Sequence, residues 1–292
     1  MSGGAAGPRA RALPTCARTW LFTPADQQRR LVSAARSRAD VLIADLEDAV
    51  APESKDEARA QAMGFLRDGG AQGPLRVVRI NDPHSEAGRR DLQALAALAP
   101  VTAVVPKASL ESLALASASG LTSAIALVET ARGVSEAERI AELDGVLAIA
   151  IGTIDLAAQL GLRALPQDLQ LLHFRSRIVL ACALAGIPAI DGVHVGVGAD
   201  AALREQAMRS RALGFAGMLC IHPSQLEPVR AAFSPSAAEL AAARRTLDAY
   251  ERAREQRGGA TLLDGEMVDL ATVRVAERVI AGAQGEQEPQ ER

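Results

Sequence analysis

Two kinds of segment alternate along this chain. Short runs of Ala, Val, Leu and Ile recur, and most are followed by a stretch with apolar residues three and four apart. The runs are Arg18 to Phe22, Val41 to Leu46, Leu75 to Ile80 and Ala103 to Lys107, then A-I-A-L-V-E from Ala124 and L-A-I-A-I-G from Leu147. Two weaker ones follow, Ala189 to Val193 and Gly217 to His222. Apolar runs of this kind, bounded by Gly, Asp or Pro, read as strands buried on both faces of a parallel sheet. The helical pattern falls near Gln27 and over about Ser54 to Leu66, Gly88 to Leu98, Ser135 to Leu143, Leu169 to Ala185 and Ala201 to Leu213.

Eight such units, with no break in composition over about 220 residues, predict an α/β chain closed into a (β/α)₈ TIM barrel spanning 18–233. Beyond it, Pro235 to Arg254 reads as a helix capped by Ser236, Thr261 to Val268 as extended or loop, and Leu270 to Ala281 as a last helix. This C-terminal helical extension, 234–292, is too small to fold alone and is expected to pack on the barrel or on a neighbouring subunit. Residues 1–17, rich in Gly, Ala and Arg, read as a disordered leader, without the long amphipathic helix of an import signal. The tail from Gly282 is polar and expected to fray.

Composition narrows the classes. Hydrophobic residues make up 49% but aromatics only 2%, so the core must be built from aliphatic side chains. A formal charge of −3 offers no basic footprint for nucleic acid. Cys16, Cys182 and Cys220 form neither a zinc pattern nor a disulfide framework, which suits a reducing cytoplasm. No apolar run is long enough to span a bilayer.

A barrel of this kind carries its chemistry at the carboxyl ends of its strands. The candidates there are Asp45, Glu47 and Asp48 after the second, Arg79 in the third, Lys107 after the fourth, Glu129 and Asp155 after the fifth and sixth, Asp191 after the seventh and His222 after the eighth. Glu129 and Asp155 end two consecutive strands, so one hard cation shared with water and substrate oxygens fits them; solvated loop acids are the alternative. Arg79 is a charge in an apolar run and needs a partner. Asp45 to Asp48 also read as a charged helix cap, Lys107 as a side chain snorkelling outward, Asp191 before Gly192 as turn chemistry, and His222 as a hydrogen-bonded wall residue. No G-x-S-x-G elbow, P-loop or H-E-x-x-H helix is present.

Taken in order, R-T-W-L-F-T-P-A-D, D-L-E-D-A-V-A-P-E-S-K-D-E-A-R, V-R-I-N, V-V-P-K, L-V-E-T-A-R-G, I-G-T-I-D-L-A-A-Q-L-G, A-I-D-G-V, A-L-G-F-A-G-M-L-C-I-H-P-S-Q and D-G-E-M-V-D resemble the citrate lyase β-subunit-like branch of the HpcH/HpaI aldolase superfamily. The likeness runs from Arg18 to about Ala281. It implies that Glu129 and Asp155 bind Mg²⁺, that Glu129 and Arg79 meet the substrate, and that Glu47 and Asp48 order water around the metal. It implies that Asp269, in the M-V-D motif, reaches a neighbouring subunit's site as acid/base, and hence a homo-oligomer, a trimer or hexamer; a plain helix N-cap is the other reading of Asp269.

The activity so implied is a Mg²⁺-dependent carbon–carbon lyase acting on a carboxylated β-hydroxyacyl thioester such as malyl-, citramalyl- or citryl-CoA, with a keto acid as product. Thioester hydrolysis at the same site, or a non-catalytic subunit of a larger lyase, are the alternatives. Two departures from the family pattern stand out. Ala25 replaces a Gly in P-G-D, adding a Cβ where backbone approaches a ligand. Ile154 replaces an acid before the metal Asp, leaving the site one charge poorer.

Overall fold

The computed structural model describes residues 12–14, 16–69, 73–256 and 258–284. Residues 1–11 and 15 of the leader expected over 1–17, and the tail beyond 284, lie outside them. The chain divides into two compact units, at Arg230/Ala231.

In the first unit the elements run β1 (Thr19–Pro24), α1 (Gln28–Ala35), β2 (Val41–Asp45), α2 (Lys55–Arg67), β3 (Leu75–Arg79), α3 (Glu86–Ala96), β4 (Thr102–Val105), α4 (Leu110–Ala118), β5 (Ser123–Val128), α5 (Ala131–Ser135), α6 (Ala137–Ala141), β6 (Val146–Ile151), α7 (Thr153–Leu160), α8 (Leu172–Ala185), β7 (Ala189–Asp191), α9 (Ala201–Leu213) and β8 (Gly217–Cys220). All eight strands are parallel, each pairs with the next, and β8 closes on β1 through Thr19 opposite Met218 and Leu21 opposite Cys220. The closed (β/α)₈ barrel expected from the pattern is therefore present.

The strand residues sort by parity. Trp20, Val41 and Ile43, Leu75 and Val77, Val104, Ile125 and Leu127, Ala148 and Ala150, Ile190 and Leu219 form one buried cluster, the filling of the barrel. Their neighbours, such as Leu21, Leu42, Val78, Ala126 and Ile149, are equally buried on the alternate face, toward the helices. Two-faced burial explains why the strands read as continuous apolar runs.

Three elements differ from the expected ones. The helix expected from Ser135 to Leu143 is two short helices broken at Glu136, whose carboxylate leaves the helical face to accept from Leu110 N (2.9 Å). The helix expected from Leu169 begins at Leu172, because Gln167 and Asp168 adopt left-handed conformations in the preceding turn. Asp191 is no turn residue. It follows the inward-facing Ile190, so it points outward into the helix layer. There it is 1% exposed, held by Arg175 of α8 and Ser210 of α9. The helices α4 and α7 were not legible at all.

α10 (Leu226–Phe233) crosses the boundary into the second unit, which continues with α11 (Ala237–Glu255), β9 (Thr261–Leu263), β10 (Glu266–Val268) and α12 (Leu270–Gln284). Ser236 caps α11 in a reciprocal box with Glu239. The stretch expected as extended or loop is a two-stranded hairpin turned by Asp264-Gly265, both at positive φ. α11 and α12 pack together.

Candidate active site

The inward parity of the strands continues past the packed core. In β2 the row Val41, Ile43 ends in Asp45; in β3 Leu75, Val77 ends in Arg79; in β5 Ile125, Leu127 leads to Glu129. The next inward position after the filled layers is thus charged in three strands, and all three lie at the carboxyl edge. They line one cavity of about 400 Å³ together with Asp48, Asp155, Phe22 and Ile154.

Asp45 is the hub of this mouth. Its carboxylate accepts two hydrogen bonds of 2.7 Å from Arg79 Nε and Nη2, and others from the backbone N–H groups of Glu47 (2.9 Å) and Ala49 (3.3 Å). The third guanidinium nitrogen of Arg79 faces Glu47 Oε2 at 3.0 Å, an ion-pair contact without hydrogen-bond geometry, and Asp48 Oδ2 at 3.3 Å. Phe22 covers the guanidinium at 4.9 Å. Burial alone lowers the pKa of Arg79, but Asp45, Glu47 and Asp48 outweigh it and hold the group well above its ordinary value. Arg79 is therefore a fixed cation, partnered as its place in an apolar strand required. With three of its five N–H groups donated to Asp45 and Asp48, one hydrogen on each terminal nitrogen is left for a substrate.

Glu129 is 3% exposed, and its Oε1 accepts from Lys107 N at 2.8 Å. Burial, then the charge of Glu47, then that of Asp155 push its carboxyl from 4.5 up to about 8 against the pull of the Lys107 N–H and Arg79. Asp155 sits in the first turn of α7, exposed, where an acid also favours the helix N-terminus. Gly152 lies between the two: a Cβ there would come within 2.5 Å of Glu129 Cβ and 2.6 Å of Oε2. The glycine is what lets the Glu129 side chain lie against the end of β6.

These residues fit a hard divalent cation. A buried carboxylate beside two other acids is a poor anion on its own, and a cation offsets both the burial and the repulsion. All the donors are oxygens. Among the described residues no three His, Cys, Asp or Glu side chains converge into a complete metal cage. Two carboxylates leave the other positions of an octahedral ion to water and substrate, as Mg²⁺ prefers.

The remaining candidates divide. Lys107 does not snorkel away: its ammonium meets Glu47 Oε1 at 2.5 Å. Glu47, buried, is raised by desolvation in spite of Arg79 and Lys107. His222 stays outside the cavity and caps the short turn at Pro223 through Ser224. In the second unit Asp269 caps α12, accepting from the N–H groups of Ala271 (2.9 Å) and Thr272 (3.0 Å). Those bonds lower its pKa, the one from Thr272 most. The methyl of Ala25 is fully buried, and the backbone there is not left-handed, so this departure presents nothing to the cavity. Ile154 does: it is 52% exposed on the cavity rim. Sequence reasoning missed the part played by Lys55, whose ammonium donates to the carbonyls of Leu46 and Glu47 (2.6 Å each) and fixes the acidic loop.

A parallel barrel whose carboxyl mouth gathers a clamped arginine and a pair of carboxylates suited to a hard cation can bind a metal and an anionic ligand side by side. Residues 18–223 match the family model described as HpcH/HpaI aldolase/citrate lyase, and the chain belongs to that family. It is 41% identical to a citrate lyase subunit beta-like protein of Mycobacterium tuberculosis, over 90% of this chain and 94% of that protein. It is 34% identical to a (3S)-malyl-CoA thioesterase of Cereibacter sphaeroides, over 91% and 94%. Among solved structures it resembles CitE of M. tuberculosis in complex with magnesium, acetoacetate and coenzyme A, with a TM-score of 0.80 and 38% identity over 93% of this chain and all of that one. The resemblance to the citrate lyase β-subunit-like branch drawn from the motifs is thereby borne out. Among the described residues no helix is long and apolar enough to cross a membrane.

Proposed function

We propose that this protein is a Mg²⁺-dependent carbon–carbon lyase acting on a carboxylated β-hydroxyacyl thioester of the malyl-, citramalyl- or citryl-CoA kind. The observation that carries the reading is the convergence of Glu129, Asp155 and Arg79 on one cavity, with Glu129 buried and strained as an anion. Magnesium and coenzyme A in the related CitE structure support it. Glu129 and Asp155 would hold the ion. When bound, the ion supplies a Lewis acid and a template for the substrate's hydroxyl and carboxylate oxygens.

Arg79, held in place by Asp45, presents its remaining Nη2 hydrogen toward the oxygen that becomes the keto-acid carbonyl. Glu47 and Asp48 orient water at the rim of the cation site. Asp269 of a neighbouring copy, whose pKa is held low by its N-cap bonds, takes the substrate's hydroxyl proton as the carbon–carbon bond breaks and returns it to the acyl-CoA carbon so released, which makes the active form an oligomer. The apolar Ile154 at the rim faces the part of the substrate that carries no charge.

Thioester hydrolysis is the second reading, favoured by the likeness to a malyl-CoA thioesterase. One experiment separates the two. Purified protein is incubated with Mg²⁺ and a panel of hydroxyacyl-CoA thioesters, and the products are identified by mass. An acyl-CoA plus a keto acid marks the lyase; free CoA plus an intact hydroxy diacid marks the thioesterase. EDTA or Asp155→Ala abolishes turnover in both cases, and turnover that survives either treatment removes the metal from the scheme.

A further inference from the structure

Lys107 is built in an unusual way. It follows β4 with φ +47, one of few non-glycine residues in the left-handed region among those described. That conformation turns the main chain so that one residue serves two acids. Its N–H donates to Glu129 Oε1 at 2.8 Å, and its ammonium lies 2.5 Å from Glu47 Oε1. The turn is locked on both sides. Ala108 N donates to Leu127 O at 2.9 Å, and Gly133 packs so closely below that a Cβ on it would meet Ala108 O at 2.4 Å. The side chain keeps 45% of its surface exposed, so its charge is not sealed off from the mouth.

We propose that Lys107 is a positioning residue that sets the balance between cation and anion binding at this mouth, holding Glu129 for the metal by its backbone while its ammonium offsets Glu47 so that an anionic substrate can enter. This rests on the reading of the site as a Mg²⁺ centre. The two functions are separable. Lys107→Gly keeps the left-handed turn, relieves its strain and leaves the N–H on Glu129. Lys107→Met keeps the aliphatic stem and removes only the charge. Both take one positive charge from beside a buried acid, which favours a divalent cation and disfavours an anion.

The shifts expected are therefore opposite in sign. Mg²⁺ titrated calorimetrically into each variant binds about three- to tenfold tighter than into wild type. Pyruvate, the simplest keto acid, titrated into the Mg²⁺-loaded protein binds about three- to tenfold more weakly. Lys107→Arg restores the charge and returns both constants toward wild type. Circular dichroism of all three variants establishes that they are folded, and Lys107→Gly carries the test if Lys107→Met is not. A residue that merely holds the fold together weakens both ligands when it is lost, so parallel weakening overturns the proposal, as does an unchanged pair of constants. Wild type that takes up no Mg²⁺ overturns the underlying reading, and the proposal with it; wild type that binds normally while the variants fail to diverge overturns the proposal alone.

Discussion

Replacing Glu129 by Gln should make the metal-free protein more stable while destroying its cation site, and the size of the effect should depend on pH in a way that identifies the residue. In the folded chain the Glu129 carboxyl sits at about 8, against an ordinary value of 4.5. A carboxyl raised on folding binds its proton more tightly in the native state than in the unfolded one. Its contribution to stability is whole below about pH 4.5 and is lost as pH rises through about 8. At about 1.4 kcal/mol per pH unit, the full span amounts to about 5 kcal/mol. The amide of the variant cannot ionise and has no such slope. Urea unfolding in EDTA at intervals from about pH 5.5 to about 8.5 measures both proteins. The wild type should lose about 1 kcal/mol per pH unit relative to Glu129→Gln across this range, other titrations cancelling in the difference. Adding Mg²⁺ at about pH 8.5 should stabilise the wild type and leave the variant unmoved. Parallel stability curves in EDTA would refute the argument that burial and neighbouring acids oppose the Glu129 charge.

Gly152→Ala places a methyl 2.5 Å from Glu129 Cβ, so it should displace that side chain and weaken Mg²⁺ binding at least about tenfold with the fold intact, read by calorimetry and circular dichroism. Asp191→Ala leaves Arg175 buried without its carboxylate and should cost about 3–5 kcal/mol in urea unfolding, enough to unfold a marginal chain. Asp269→Asn retains an N-cap acceptor and should leave the melting temperature within a few degrees while abolishing turnover; Asp269→Ala should lower the melting temperature as well. Activity that survives Asp269→Asn removes the residue from the proton transfer.

The barrel was legible because every strand is buried on both faces, which leaves an unbroken apolar run in the sequence. The positions of Asp45, Arg79 and Glu129 were legible for the same reason: each interrupts or ends such a run. What the sequence hid is which way a charge at the end of a short strand points. Asp191 follows an inward residue and so faces outward, whereas Asp45 continues the inward row; both looked alike as an acid after an apolar run. Counting parity from the strand's middle would have separated them. The partnership of Lys107 with two acids depends on a left-handed backbone that no residue type announced. Short helices such as α5 and α7 begin two or three residues after the preceding strand ends and are too short to show a helical period. Glu136 breaks a helix for the sake of a contact with Leu110, 26 positions earlier, which no local pattern reveals.

Because Asp45, Arg79 and Glu129 are each the last member of a row that fills the barrel, strand and chemistry share a reading frame there. Deleting one residue from the middle of β2, β3 or β5 would send every later side chain of that strand to the opposite wall and withdraw its acid or arginine from the opening. The loop after β8 carries no such constraint; in the turn after β6, Gly152 and Asp155 do, but the exposed Ile154 does not. Descendants of this chain are thus free to try new rims, with Ile154 an obvious place to begin, while the charged floor beneath them is inherited as one piece.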